Sequence, residues 1–358
     1  MKKLDLYIGI KFLKAFVLGL LAFLIIFILS SLFKVVGYII DGKLSTYNGM
    51  VYLLSGIPDV LVNVVPLAVL LGGLMAINKM AASSEVIALK TSGISFLRIV
   101  TVPIVLSLII SVAVLWFNNE IVPPSNKLKR EIKYTKIYDV KEAKIKTSIY
   151  MKGTGDYIYY IGMVNGSAET LSNIMVLMMS HDFKKIDKIL IGERGEYNSK
   201  NKKWTLYNVV IDDIVNGQEK KLKSYIPDFI AENPEEFMRD KVRENEMPAS
   251  QLKENIKFLN KTGGDTKKML VALYKRTAYP FAGLIMSLIG LSLGSRYVRG
   301  ASAISIGLSV VIGYTYYVVN ATIEAFSLGG FVNPIIGAWI PNILFLAVGI
   351  YTMRNSEY

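Results

Sequence analysis

The sequence predicts an α-helical membrane protein with six transmembrane helices and an inserted antiparallel β domain of jelly-roll-like form. Three observations predict it. Six continuous apolar stretches reach bilayer length; they fall three before and three after a polar segment, 118–268; and that segment carries apolar residues at period two. Of the 358 residues 52% are hydrophobic, and the mean hydropathy is +0.40, a balance rare in soluble domains of this size. Outside 118–268 stand only 14 Lys/Arg and 6 Asp/Glu, so most of the charge belongs to the insert.

The apolar stretches are 12–33, 56–78, 95–117, 270–293, 302–323 and 334–353. A hydrocarbon core of about 30 Å needs about 20 such residues in a helix, and a continuous span must satisfy its own backbone polar groups. The first stretch follows Lys2 and Lys3, as in a signal peptide. Its length and the lack of a small-x-small cleavage site mark an uncleaved span instead.

Short-loop cations set the orientation. With the N-terminus inside, the inner face holds Lys2, Lys3, Lys11, Lys14, Lys79, Lys90, Arg98, Arg296, Arg299 and Arg354. The outer short segments hold Lys34, Lys43, Lys275 and Arg276. Both termini are therefore expected in the cytoplasm and the insert outside, in the periplasm of a two-membrane cell. This gives three domains: 1–117 with a cytoplasmic helix at about 83–92, the β domain 118–268 with a closing helix, and 269–358.

Within the insert, Pro123-Pro124 ends the third span. Alternating runs follow at 148–151, 157–164, 174–179, 188–191, 204–211 and 222–226, separated by Gly- and Asn-rich turns. A helix capped near Ser250 runs to about Asn260. The β domain is either a scaffold or, if its apolar face stays open, a holder of lipid chains; the residues leave both open.

Much chemistry is absent. With no cysteine, thiolate nucleophiles, disulfides and Cys-based metal sites are excluded. The one histidine, His181, lies in a polar turn without partners for a zinc site or a triad. The segment from Gly37 to Leu44 resembles a phosphate loop, but Leu44 stands where Ser or Thr must ligate magnesium. No cofactor is expected on this chain. The net charge of +13 fits topology and anionic lipid; no basic, aromatic-interleaved stripe points to nucleic acid.

Three features remain. Ser83 or Ser84 can cap a short amphipathic helix with Glu85 in its first turn and Gly93 at its end. It is an interfacial connector or a coupling element for a cytoplasmic partner. Lys34, Lys43, Lys275 and Arg276 are snorkelling anchors or grips for an anionic headgroup. The fifth span carries Tyr314, Tyr316, Tyr317, Asn320, Thr322 and Glu324, polar groups suited to a helix partner or a cavity.

These residues resemble the lipopolysaccharide-export permease family, the paired F and G subunits, along nearly the whole chain. The resemblance rests on the span layout and on three patterns: Ser84-Glu85-Val-Ile-Ala-Leu-Lys-Thr-Ser-Gly93; Tyr274-Lys-Arg276-Thr-Ala-Tyr-Pro280, followed by Gly290-Leu-Ser-Leu-Gly294-Ser-Arg296; and Asn333-Pro334 with Ala338-Trp339-Ile340-Pro341-Asn342. It implies a non-enzymatic subunit that pairs with a second, paralogous permease and a dimeric cytoplasmic ATPase, which binds the ATP and magnesium. The substrate is lipopolysaccharide, taken from the outer leaflet of the inner membrane and passed to a periplasmic jelly-roll bridge. Ser84, Glu85, Leu89 and Gly93 are then the ATPase-coupling residues. Lys34, with Lys43, Lys275 and Arg276, meets the lipid headgroup. Spans one and five form the lateral gate, with Phe27, Leu32, Tyr317, Asn320 and Glu324 lining gate or cavity. Before Arg276 relatives often carry an acidic residue; Tyr274 and Lys275 stand here, so no ion-pair role is carried over. The alternatives are an ABC permease for another lipid or lipoprotein, a membrane-anchored scaffold, and an intramembrane lipid enzyme, which would need more acidic or histidine residues in the spans.

Overall fold

The computed structural model describes residues 2–137, 145–153, 156–166, 168–180, 185–199, 201–230, 232–234, 237, 243–262, 264–295 and 301–355. His181, Arg296 and Arg299 fall outside them. The chain divides into two compact units, one of Met1–Asp139, Glu244–Lys253 and Lys267–Tyr358, the other of Val140–Arg243 and Glu254–Thr266.

The first unit is helical. Its elements are α1 (Lys2–Ile40), α2 (Thr46–Ala82), α3 (Glu85–Thr91), α4 (Phe96–Glu120) and α5 (Val122–Ile132), then, after the second unit, α6 (Ala249–Thr262, shared between the units), α7 (Lys267–Ala278), α8 (Ala282–Gly294), α9 (Ala301–Leu328) and α10 (Pro334–Arg354). Among the described residues six helices are long and apolar enough to cross a membrane: α1, α2, α4, α7 with α8, α9 and α10. Local chemistry sets their starts. Ser45 and Ser95 accept from the Asn48 and Arg98 amides, and Asn333 accepts from Ile335 with Pro334 following it. Pro123 and Pro124 end the third span as expected, but they also open α5, where Pro is tolerated in the first turn.

α2 is the centre of the unit. Its apolar window is 83% buried, against 11% for α1 and 17% for α9. It packs on α8 through glycines: a Cβ on Gly290 would stand 2.5 Å from the Leu70 carbonyl oxygen, and one on Gly73 3.1 Å from the Leu291 amide nitrogen. Phe12 and Phe16 of α1, Leu70 and Leu74 of α2 and Met286 and Ile289 of α8 fill the surrounding core.

Prolines inside these helices leave carbonyls without their usual helical partners. Beside the Val62 carbonyl, which Pro66 deprives of its usual partner, the Asn63 carbonyl accepts the Tyr317 hydroxyl. At the 3₁₀ break Tyr279–Phe281, between α7 and α8, Asn342 Nδ2 donates to the Ala278 carbonyl at 2.7 Å, and its Oδ1 accepts from Tyr316 at 2.8 Å. Side chains thus replace the water that a bilayer lacks.

The second unit holds β1 (Ile145–Lys152), β2 (Tyr157–Asn165), β3 (Thr170–Met179), β4 (Ile186–Asn198), β5 (Lys203–Asp213) and β6 (Gln218–Tyr225). They form one antiparallel sheet in sequential order. Alternation buries one face around Trp204, Tyr159, Leu171, Val176 and Leu190. The Trp204 indole donates to the Glu232 carbonyl at 2.7 Å.

A crease crosses all six strands. Each ladder skips one pair while keeping its register on either side, and the skipped residues align as Ser148, Gly162, Asn173, Glu193, Asn208 and Lys223. Ser148, Asn173 and Asn208 have φ of 56°, 53° and 52°, so alternate strands enter the left-handed region on this line. Asn tolerates that conformation better than most residues. Between two of them Gly162 is required, since a Cβ there would stand 2.9 Å from that of Asn173. All six strands were legible as alternating runs; the crease was not, because a kink that preserves register leaves the period unchanged.

Gly290→Val should lower stability by about 2 kcal/mol, the scale of overpacking a tight core, read as the thermal midpoint of the detergent-purified chain. Trp204→Ala should cost about 4 kcal/mol by cavity formation and melt the sheet before the helices, followed by near-UV circular dichroism.

Candidate functional site

The short helix α3 lies between α2 and α4. Ile94 N donates to the Leu89 carbonyl at 3.0 Å and Gly93 N to that of Lys90 at 3.0 Å, which closes the helix on Gly93 at φ +85°. The expected serine cap is not made. Ser84 takes φ +60° and forms no side-chain cap bond, because the left-handed turn that starts the helix places it off the capping geometry. Val86 is buried among Ile8, Ile77, Phe96 and Ile99, with Leu89 partly buried beside them. Ile87, 59% exposed, faces away with Ala88 and Thr91.

Glu85 points to α1. Lys11 Nζ reaches Oε1 at 2.9 Å and Oε2 at 2.8 Å, the Tyr7 hydroxyl donates to Oε2 at 2.9 Å, and Ser83 Oγ lies 2.8 Å from Oε1. Tyr7 and Lys11 share a face at i, i+4, with the ammonium 4.3 Å from the ring centroid. Burial alone raises the Glu85 carboxyl, but hydrogen bonds from Lys11, Ser83 and Tyr7 outweigh it and hold it below its usual range. A second tie lies nearby, with Arg98 Nη2 2.6 Å from Asp5 Oδ1. Tyr7 and Asp5 were not singled out in the sequence and Lys11 only as an inner-face cation; the i, i+4 spacing of Tyr7 and Lys11 alone hinted at a shared task.

The other expected residues separate. Lys275 Nζ pairs with Glu324 Oε2 at 2.6 Å, joining α7 to α9. An ion pair therefore does form before Arg276, with a carboxylate supplied by the fifth span rather than by the chain neighbour. Arg276, 7% exposed, donates to the Met247 and Glu244 carbonyls. Lys43 pairs with Asp41 at 3.3 Å in the open. Lys34 is exposed beside exposed Phe33 and Val36. Among the described residues no contact joins Lys34 or Lys43 to Lys275 or Arg276. Phe27 and Leu32 are exposed on α1; Tyr317 is half-buried on the Asn63 carbonyl, and Asn320 is half-buried on α9. Among the described residues no group of three His, Asp or Glu is placed to hold a metal ion.

A carboxyl held low in the folded chain stabilises it above the unfolded-state value, and the contribution is lost as pH falls through the folded one. The Glu85 ties should therefore be fully formed at neutral pH and be lost only below pH 4.5. Glu85→Gln should be less stable than wild type at pH 7, with the gap closing on acidification below that value, checked by thermal melts across pH.

Residues 6–355 match the family described as lipopolysaccharide export system permease LptF/LptG. The lipopolysaccharide export system permease protein LptG of Haemophilus influenzae is 22% identical over 312 residues, covering 86% of each chain. The protein of that name from Escherichia coli K12 is 20% identical over 338 residues, covering 92% of each. The match takes in all six apolar helices and the sheet between them, and the chain belongs to the LptF/LptG family of lipopolysaccharide export permeases.

Proposed function

We propose that this chain is one of two paired permease subunits of an ABC exporter that draws lipopolysaccharide sideways from the outer leaflet of the inner membrane. A separate dimeric ATPase on the cytoplasmic side supplies the energy, and a periplasmic bridge of jelly-roll domains receives the lipid. Both termini are cytoplasmic and the sheet is periplasmic, in keeping with the cation bias of the short loops.

Lys34 carries the reading. It is exposed on α1 between exposed Phe33 and Val36, near Leu32, Val36 and Ile40 on the same helix. A cation among bare apolar side chains suits an amphiphile that offers acyl chains and phosphates together. Export of such a lipid opposes about 0.8 kcal/mol for each buried methylene, so work must enter from elsewhere. The α3 region is the element suited to receive it, with exposed Ile87 flanked by Ala88 and Thr91. The weakly buried helices α1 and α9 are suited to gate against a partner or lipid.

The test is co-purification in detergent with the ATPase of the same cell. Wild type should retain the ATPase and Ile87→Asp should lose most of it, by about tenfold, as for a central contact residue. Recovery of no ATPase by wild type overturns the exporter reading.

A further inference from the structure

Glu85 is the residue that sequence reasoning hands to the partner ATPase, yet its bonding capacity is already used inside the chain. A carboxylate offers about four lone-pair sites. Oε1 meets Lys11 and Ser83; Oε2 meets Lys11 and Tyr7; all four distances lie between 2.8 and 2.9 Å. Ser83 Oγ is also 2.9 Å from the Lys79 carbonyl, and its single proton is better spent on the charged acceptor. A basic group from outside could bind Glu85 only by displacing Lys11.

The helix at the other end of these bonds is, like α9, free of proline. α2, α4 and α10 contain Pro58 and Pro66, Pro103, and Pro341, and Pro280 lies at the break between α7 and α8. α1 has no proline over 39 residues, a continuous rod of about 58 Å. Its apolar window is little buried apart from the side that packs Phe12 and Phe16 inward, and polar ties to Glu85 and Arg98 cluster between Asp5 and Lys11. Val86 adds an apolar tie beside Ile8. A displacement of α3 thus reaches an unkinked helix whose far part carries Lys34.

We infer that Glu85 is a positioning residue that acts within the chain, a strut joined to Lys11 and Tyr7 that makes α3 and α1 move as one body. The inference rests on the exporter reading for its purpose, though not for its geometry. Removing the strut leaves the exposed Ile87 side of α3 intact. The ATPase then still binds and turns over, but its stroke is not delivered to α1.

The experiment reconstitutes the full complex in lipopolysaccharide-containing vesicles and measures ATPase recovery, ATP hydrolysis and lipopolysaccharide released per ATP. Lys11→Met should keep recovery and hydrolysis within about twofold and lower release per ATP about tenfold, within the span of coupling changes seen for residues between sites. Tyr7→Phe should give a smaller loss. The exchanged pair Lys11→Glu with Glu85→Lys should recover most of the coupling, which a merely structural defect would not do. Normal coupling in Lys11→Met, or no rescue by the exchanged pair, overturns the strut. A second reading is independent of transport. The chain has no cysteine, so spin labels at Ile10→Cys and Ile87→Cys report one distance. That distance should be a single narrow population in the wild-type background, broad in Lys11→Met and narrow again in the exchanged pair. An unchanged distribution in Lys11→Met overturns the strut even if no lipid is moved, whereas intact spin-label behaviour with no lipid release by wild type overturns only the exporter reading.

Discussion

The Asn63 carbonyl on α2 and its hydrogen bond from Tyr317 express the constraint on which the helical unit depends. Inside a bilayer a backbone carbonyl at a helix break has no water to turn to, so a donor from another helix is the group that can satisfy it. Near Pro66 Tyr317 donates to the Asn63 carbonyl, and near Pro280 Asn342, itself held by Tyr316, donates to the Ala278 carbonyl. The same need for close approach explains Gly73 and Gly290, where backbone meets backbone without an intervening side chain. These contacts join α2, α7, α8, α9 and α10 and give the unit its fixed centre.

The proline-free helices α1 and α9 pack on that centre along one side, through Phe12 and Phe16 and through Tyr316. Their apolar windows are little buried, and ion pairs secure them at particular points. α1 is tied through Asp5 and Lys11, α9 through Glu324 to Lys275. Each of these pairs is only partly exposed, so water screens it less than a surface pair.

The β unit solves a separate problem. Its strands keep perfect register across a line at which half of them leave the β region. Pairing on both sides of the line holds Ser148, Asn173 and Asn208 in conformations they would not adopt alone. Trp204 and its apolar neighbours lie under one face. Whether that face serves as scaffold or lipid path, its bend comes from side-chain-bearing residues held left-handed, with glycine only where Gly162 must clear Asn173.

Hydropathy and period by themselves determined the six spans, the six strands and the short helix between spans two and three, because burial in lipid and in a half-covered sheet write themselves into residue order. The patterns around Glu85, Arg276 and Pro334 were enough to place the family. Tertiary structure alone decided what those residues touch. Glu85 meets Lys11 over a separation of 74 residues and Lys275 meets Glu324 over 49, distances along the chain at which no periodicity speaks. The opening of α5 by the two prolines, the left-handed turn at Ser84 and the crease were equally silent. In each, a backbone choice was made by packing against distant residues, and the local sequence permits it without demanding it.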